Sequence, residues 1–194
     1  MDFLALMEAA RTCRRFDEGK PLTQSDLDWL VDCARLAPSA RNAQILRFIT
    51  VSGGKVCDEL FALCKFAGAL KGWDGPAKGE RPTGFIAILM PASGGNLACY
   101  DTGIACLAMQ LGATSRGLGC CIVQSFNKTR AESLLQTPEN MQIALVCAFG
   151  AAVEKRVVDV PGPDGSLAYW RDDAKVHHVP KLSLSELIVG RFGE

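Results

Sequence analysis

A chain of 194 residues, 48% apolar and 22% charged, has the composition of an ordinary folded protein and enough length for one domain, residues 1–194, with a sizeable core. Lysine and arginine number 21, as do aspartate and glutamate, and this zero net charge gives no reason to expect nucleic acid or an anionic membrane as a partner. Nine cysteines, an odd number at irregular spacings with no Cys-x-x-Cys pair, argue against a disulfide framework or a structural zinc site and point to a reducing cytoplasm.

Residues 2–10 read as a short helix, with Phe3, Leu4 and Met7 on one face and Leu6 and Ala10 beside it. Acidic Glu8 stands where a signal peptide would carry a basic region and an apolar core, so none is expected. After a basic turn, Thr23 is the expected N-cap of a second helix, with Asp26 three residues on. That helix runs to about Leu36, with Leu27, Leu30, Val31, Ala34 and Leu36 near its buried side, and stops ahead of Pro38. Residues 47–52 read as a strand, Gly53-Gly54 as a turn and residues 56–70 as a helix. Residues 71–82, rich in glycine, proline and charge, form a loop in which Trp73 either caps a substrate pocket or anchors the chain. Residues 83–90 read as a buried central strand, because the apolar run does not alternate. Its purely apolar part, residues 85–90, is far too short to span a bilayer.

A second loop at residues 91–96 precedes a long, almost wholly apolar helix at residues 97–115. A helix apolar on every face must be buried on every face, which suggests a dimer interface as well as a core position. Its polar exceptions, Asp101 and Gln110, are expected to make buried hydrogen bonds or interface contacts. Gly117-Leu118-Gly119 ends the helix, and residues 120–124 read as a strand. No Gly-x-Gly-x-x-Gly opens a helix after a first strand, so no dinucleotide fingerprint is present. Adjacent Cys120 and Cys121 should point to opposite faces, which argues against a redox pair. Cys33, Cys64, Cys99, Cys106 and Cys147 lie in apolar stretches and read as small core residues. Residues 127–135 form a short helix capped by Asn127, residues 141–149 the last central strand, closed by Gly150, and residues 161–165 a turn before a tail ending in a short helix. His177 and His178 are adjacent and point apart, with no ligand-spaced cysteine or acid, so both read as structural. Helices mixed with four strands place the chain in the α+β class.

Two segments carry candidate chemistry. Arg11-Thr12-Cys13-Arg14-Arg15-Phe16 offers a hydroxyl and guanidinium forks suited to a phosphate or another anionic oxygen, a solvated charge cluster being the alternative. Leu36-Ala37-Pro38-Ser39-Ala40-Arg41-Asn42-Ala43-Gln44 places hydroxyl and amide groups between a helix exit and a strand, a good place to hold a polar, planar ligand. Together they resemble the flavin-dependent nitroreductase family, whose pattern is an Arg-Ser-x-Arg-x-Phe turn followed by Ala-Pro-Ser-x-x-Asn-x-Gln. The resemblance covers essentially the whole chain. It departs at Thr12, where serine is usual, at Ile45, where proline often follows the glutamine, and at Leu182, where an arginine is common after His-x-Val-Pro-Lys. The last change removes one phosphate contact.

The resemblance implies an α+β, intertwined homodimer with a central mixed, mostly antiparallel sheet flanked by helices. Two FMN molecules would sit at the dimer interface, each contacted by both subunits. Carried over by position, Arg11, Thr12, Cys13 and Arg14 would contact the cofactor, Arg11 and Thr12 at the phosphate and ribityl chain and Arg14 near the pyrimidine edge. Pro38, Ser39, Asn42 and Gln44 would come from the partner subunit, and Lys181 would reach the phosphate from the tail. Val123, Gln124 and Ser125 would lie along the isoalloxazine, with a backbone N–H of Gln124 or Ser125 near N5. The implied reaction is ping-pong: NADH or NADPH reduces FMN, which then reduces a nitroaromatic, quinone or similar planar acceptor. The flavin carries the chemistry, so no catalytic side chain is expected. A flavin store or sensor without efficient turnover is the competing reading. A third is an enzyme on the same scaffold with another outcome, such as reductive dehalogenation, dehydrogenation or flavin fragmentation.

Overall fold

The computed structural model describes residues 2–68, 70 and 72–193. Helix α1 (Phe3–Ala9) is capped by Asp2, whose Oδ1 accepts the Ala5 N–H at 3.0 Å. Helix α2 (Gln24–Leu36) opens with a capping box between Thr23 and Asp26 and ends where Ala37 turns extended ahead of Pro38. The chain continues through β1 (Arg47–Ser52), α3 (Gly54–Leu63), β2 (Gly84–Pro91), α4 (Asn96–Ser115), β3 (Leu118–Val123), α5 (Lys128–Leu134) and β4 (Met141–Ala151). It closes with β5 (Arg156–Asp159), β6 (Trp170–Arg171), β7 (His177–Pro180) and α6 (Leu184–Leu187).

The central sheet has the order β1-β2-β4-β3 and is antiparallel throughout. Both faces of β2 are covered. Phe85, Ala87 and Leu89 enter one core layer with Cys57 and Leu60 of α3 and Ala131 of α5. Ile86 and Ile88 enter the other with Leu27 and Leu30 of α2 and Cys106 and Met109 of α4. Alternate residues of a strand share a face, so a strand sandwiched between two layers is apolar at every position. Cys121 and Cys120 fall in opposite layers as their adjacency requires, and all nine cysteines are free thiols. Asn127 caps α5, accepting the Arg130 N–H at 3.2 Å.

Some expectations are corrected and others are made specific. The helix expected over residues 56–70 ends at Leu63, because Cys64 pairs with Phe126 in an isolated bridge and the Lys65 N–H donates to the Ser125 carbonyl at 2.8 Å. Ala69 and Lys71, within the expected helix and loop, lie outside the described residues. Trp73 packs against the core with the Arg171 guanidinium 4.6 Å from its ring centre, so it anchors the loop. Of the five cysteines assigned to the core, Cys106 and Cys147 are buried, Cys33 and Cys64 are half-buried, and Cys99 is exposed on the outer side of α4. Helix α4 is buried on one side only within this protomer: Leu97, Tyr100, Ile104 and Leu107, three and four residues apart, form an exposed apolar stripe. The four expected strands are joined by a second sheet, β5-β7-β6, in which β5 runs parallel and β6 antiparallel to β7.

Candidate functional site

The turn at residues 11–16 is seated by its two inward side chains. Cys13 and Phe16 are fully buried and lie over Gly119 and Gly150, which face each other across β3 and β4. A Cβ at Gly119 would stand 2.5 Å from the Cys13 sulfur, and one at Gly150 would stand 3.0 Å from Phe16 Cβ, so the turn needs two bare backbone positions beneath it. The Cys13 N–H donates to the Cys120 carbonyl at 2.8 Å, and Phe16 bridges to Ala152. The Cys13 side chain, expected to contact the cofactor, instead packs against the sheet and does not line the pocket, and burial pushes its thiol pKa up. With these two side chains inward, Arg11, Thr12 and Arg14 face a pocket. Arg15 points elsewhere and is paired with Glu80, Nε donating to Oε2 at 2.7 Å.

The pocket encloses about 230 Å³. Besides the turn it is lined by Leu107 and Gln110 of α4, by Tyr169, and by His177, Val179 and Lys181. The last three are every second residue along β7 and its extension, the spacing that puts strand side chains on one face. Gln110 makes the expected buried hydrogen bond, its Nε2 donating to the Ala10 carbonyl at 2.9 Å. Three cations, Arg11, Arg14 and Lys181, line the pocket, and among the described residues no carboxylate does. Arg11 Nη2 donates to the Met7 carbonyl at 2.7 Å, while the Nε of Arg11 and of Arg14 are buried without a partner among the described residues. Converging cations with unmet donors suit an anionic oxygen ligand.

Arg14 is held from behind by several elements. Its backbone N–H donates to Glu154 Oε2 at 2.8 Å, and its Nη1 lies 3.2 Å from His177 Nε2. The guanidinium lies 4.7 Å from the centre of the Tyr169 ring, which itself sits 5.2 Å from the His177 ring. Burial is the main force lowering the His177 pKa, and Arg14, Arg171 and Arg156 lower it further against the pull of Glu154, to about 4. The ring is therefore neutral at neutral pH. Because Arg14 can only donate, His177 Nε2 accepts and the proton sits on Nδ1.

A second recess, of about 250 Å³, is lined by Pro38, Ser39 and Gln44 with Phe48 and Asp101 among its walls. The segment bends through a 3₁₀ turn at Ala40–Asn42. Arg41, Asn42 and Gln44 take positive φ of 56°, 52° and 46°, a left-handed conformation costly for residues with a Cβ. Side chains hold it there. Asp101 Oδ1 accepts the Ala40 N–H at 2.8 Å, Ser39 Oγ accepts the Gln44 N–H at 3.3 Å, and Gln44 Nε2 donates to Asn42 Oδ1 at 3.3 Å. Asp101 Oδ2 is buried with no partner among the described residues.

Within one protomer the two recesses are distinct. Arg11, Thr12, Arg14 and Lys181 line the first; Pro38, Ser39 and Gln44 line the second; Asn42 lines neither. Val123 is buried at the end of β3, and Gln124 and Ser125 are exposed beyond it, outside both recesses. Sequence reasoning missed Tyr169 and the pocket role of His177. The alternation His177, Val179, Lys181 was the available signal, readable only once residues 177–180 are known to be a strand.

The model of the Nitroreductase family matches residues 7–76 and 74–151. No curated protein matches the chain. A nitroreductase family protein from Clostridium difficile 630 superposes over 97% of this chain and 97% of its own, with TM-score 0.66 and 21% identity. A nitroreductase with bound FMN from Desulfitobacterium hafniense DCB-2 covers 84% of this chain and 95% of its own, with TM-score 0.64 and 21% identity. An FMN-dependent nitroreductase from Clostridium difficile R20291 covers 79% of this chain and 89% of its own, with TM-score 0.64 and 20% identity. These likenesses establish the shared α+β fold, and the family model covers most of the polypeptide: the chain belongs to the nitroreductase family.

Proposed function

We propose that the protein is an FMN-dependent NAD(P)H oxidoreductase that reduces a nitroaromatic, quinone or similar planar acceptor by ping-pong hydride transfer. The carrying observation is the pocket in which Arg11, Arg14 and Lys181 converge with two orphaned guanidinium Nε donors. A phosphate monoester fits that donor set. Arg11, Thr12 and Lys181 would hold the phosphate and ribityl chain, and Arg14 would place positive charge at the pyrimidine edge of the ring. Val123, Gln124 and Ser125 would run along the ring edge. FMN, when bound, supplies hydride acceptance and release, and the side chains bind, orient and tune it.

The second half of the site, Pro38, Ser39, Asn42 and Gln44, would come from a partner protomer. Two observations support this. The recesses are distinct within one protomer. The exposed stripe of Leu97, Tyr100, Ile104 and Leu107 continues the wall of the first recess, because Leu107 belongs to both. A second copy covering that stripe would bury apolar surface beside the pocket. FMN titration tests the reading directly. Arg11→Ala or Arg14→Ala removes a charged hydrogen-bond donor worth about 1.5–3 kcal/mol, so each should weaken FMN binding by about 10- to 100-fold. Full retention of FMN by both variants would overturn the site assignment.

A further inference from the structure

Arg14 is a buried guanidinium whose side chain meets no carboxylate among the described residues. Glu154, the acid beside it, accepts the Arg14 backbone N–H with Oε2 at 2.8 Å and engages Arg171 Nη2 with Oε1 at 2.5 Å. The guanidinium itself is held by neutral groups: the face of Tyr169, 4.7 Å from the ring centre, and His177 Nε2 at 3.2 Å. His177 is 1% exposed, on the strand that also delivers Val179 and Lys181 to the pocket. A carboxylate in that place would cancel most of the field of Arg14 at short range and low dielectric, whereas a neutral acceptor fixes its geometry and leaves its charge intact.

We infer that His177 is a positioning residue that holds Arg14 as an uncompensated cation facing the cofactor pocket. The inference rests on the FMN reading above and extends it to how the bound cofactor is tuned. Arg14 of the basic turn and Tyr169 before β6 touch the His177 ring, and the charges of Glu154 after β4, Arg156 of β5 and Arg171 of β6 act on it. Three cations against one shared carboxylate oppose a positive charge on the ring. The ring acts on Arg14 only as the neutral tautomer with Nδ1 protonated, since an imidazolium has no lone pair to offer the guanidinium.

The test compares His177→Gln, which keeps a neutral acceptor near the position of Nε2, with His177→Glu, which puts a carboxylate of the same reach beside Arg14. The readouts are FMN affinity and the two-electron reduction potential of bound FMN in an anaerobic dye titration. His177→Gln should leave the potential within about 10 mV of the parent. His177→Glu should disfavour the electron-richer form by about tenfold, a shift of about 30 mV to more negative values. Equal shifts in the two variants, or none in either, would overturn the role. Should His177→Glu not fold, imidazole ¹⁵N shifts of the parent protein decide: the Nδ1–H neutral tautomer from pH ~8 to ~6 supports the role, and an imidazolium or Nε2–H tautomer overturns it. A parent protein that binds no FMN removes the underlying reading and this inference with it, a result the titration reports separately from any variant.

Discussion

Cys13 and Phe16 decide where Arg11, Thr12 and Arg14 point, and they can do so only because Gly119 and Gly150 leave room beneath them. Gly119→Ala places a methyl group inside the Cys13 side chain's space. It should cost about 1–3 kcal/mol of stability in urea denaturation and weaken FMN binding, because the displaced turn carries the cations proposed to hold the cofactor. His177 sets a second residue-scale expectation. Its folded pKa of about 4 lies below the unfolded value of 6.5, so between these limits the unfolded chain binds a proton that the folded chain does not. This contribution to stability is present above the unfolded pKa and is lost as pH falls toward about 4. His177→Gln should therefore lose less stability than the parent on going from pH ~7 to ~4.5, read by denaturant midpoints at each pH. An equal loss in both proteins would place the acid sensitivity elsewhere.

At the scale of elements, the small β5-β7-β6 sheet is what delivers Tyr169, His177, Val179 and Lys181 to the pocket. His178 ties it together from the opposite face. Its Nδ1 lies 2.9 Å from Asp159 Oδ2 and its Nε2 lies 3.3 Å from Asp172 Oδ2, while its ring stacks on Trp170 at 4.0 Å and 9°. Desolvation opposes charge on this ring, but the two carboxylates outweigh it and raise its pKa. A raised folded pKa stabilises the protein fully below the unfolded value and loses that effect as pH rises through the folded one. Asp172→Asn should therefore destabilise the sheet more at pH ~6 than at pH ~9, measured by amide exchange across β7. This sheet was not legible in the sequence. Its strands run two to four residues, too short for a period to declare itself, and its parallel pairing joins segments far apart in the chain. By contrast, β2 and α2 were legible, because one carries an unbroken apolar run and the other a capping box and a terminating proline. The end of α3 was not, since a tertiary bridge from Cys64 to Phe126 overrides an apolar pattern that continues past it. The site divides the same way. Arg11, Arg14 and Ser39 stand in local motifs, whereas His177 acquires its place from a pairing that no local pattern reports.

For the whole molecule, the proposed site takes its two halves from two protomers. The exposed stripe on α4, with Phe3 and Leu4 of α1 also exposed, is the surface proposed to meet a second copy, and Leu107 joins that stripe to the cation-lined pocket. Ile104→Glu places a charge within the stripe. It should yield monomers in sedimentation and weaken FMN binding by at least about tenfold, because each site would lose its partner half. A monomer that binds FMN as tightly as the parent would show that the site is complete within one chain.

The most direct measurement of the central claim is the absorption spectrum of the FMN-loaded protein, taken anaerobically before and after NADH and then NADPH. The account predicts a yellow protein that at least one of the two nucleotides bleaches within a catalytic turnover time, with colour restored by a quinone or nitroaromatic acceptor. A yellow protein that neither nucleotide bleaches would contradict it and identify a flavin-binding protein without turnover.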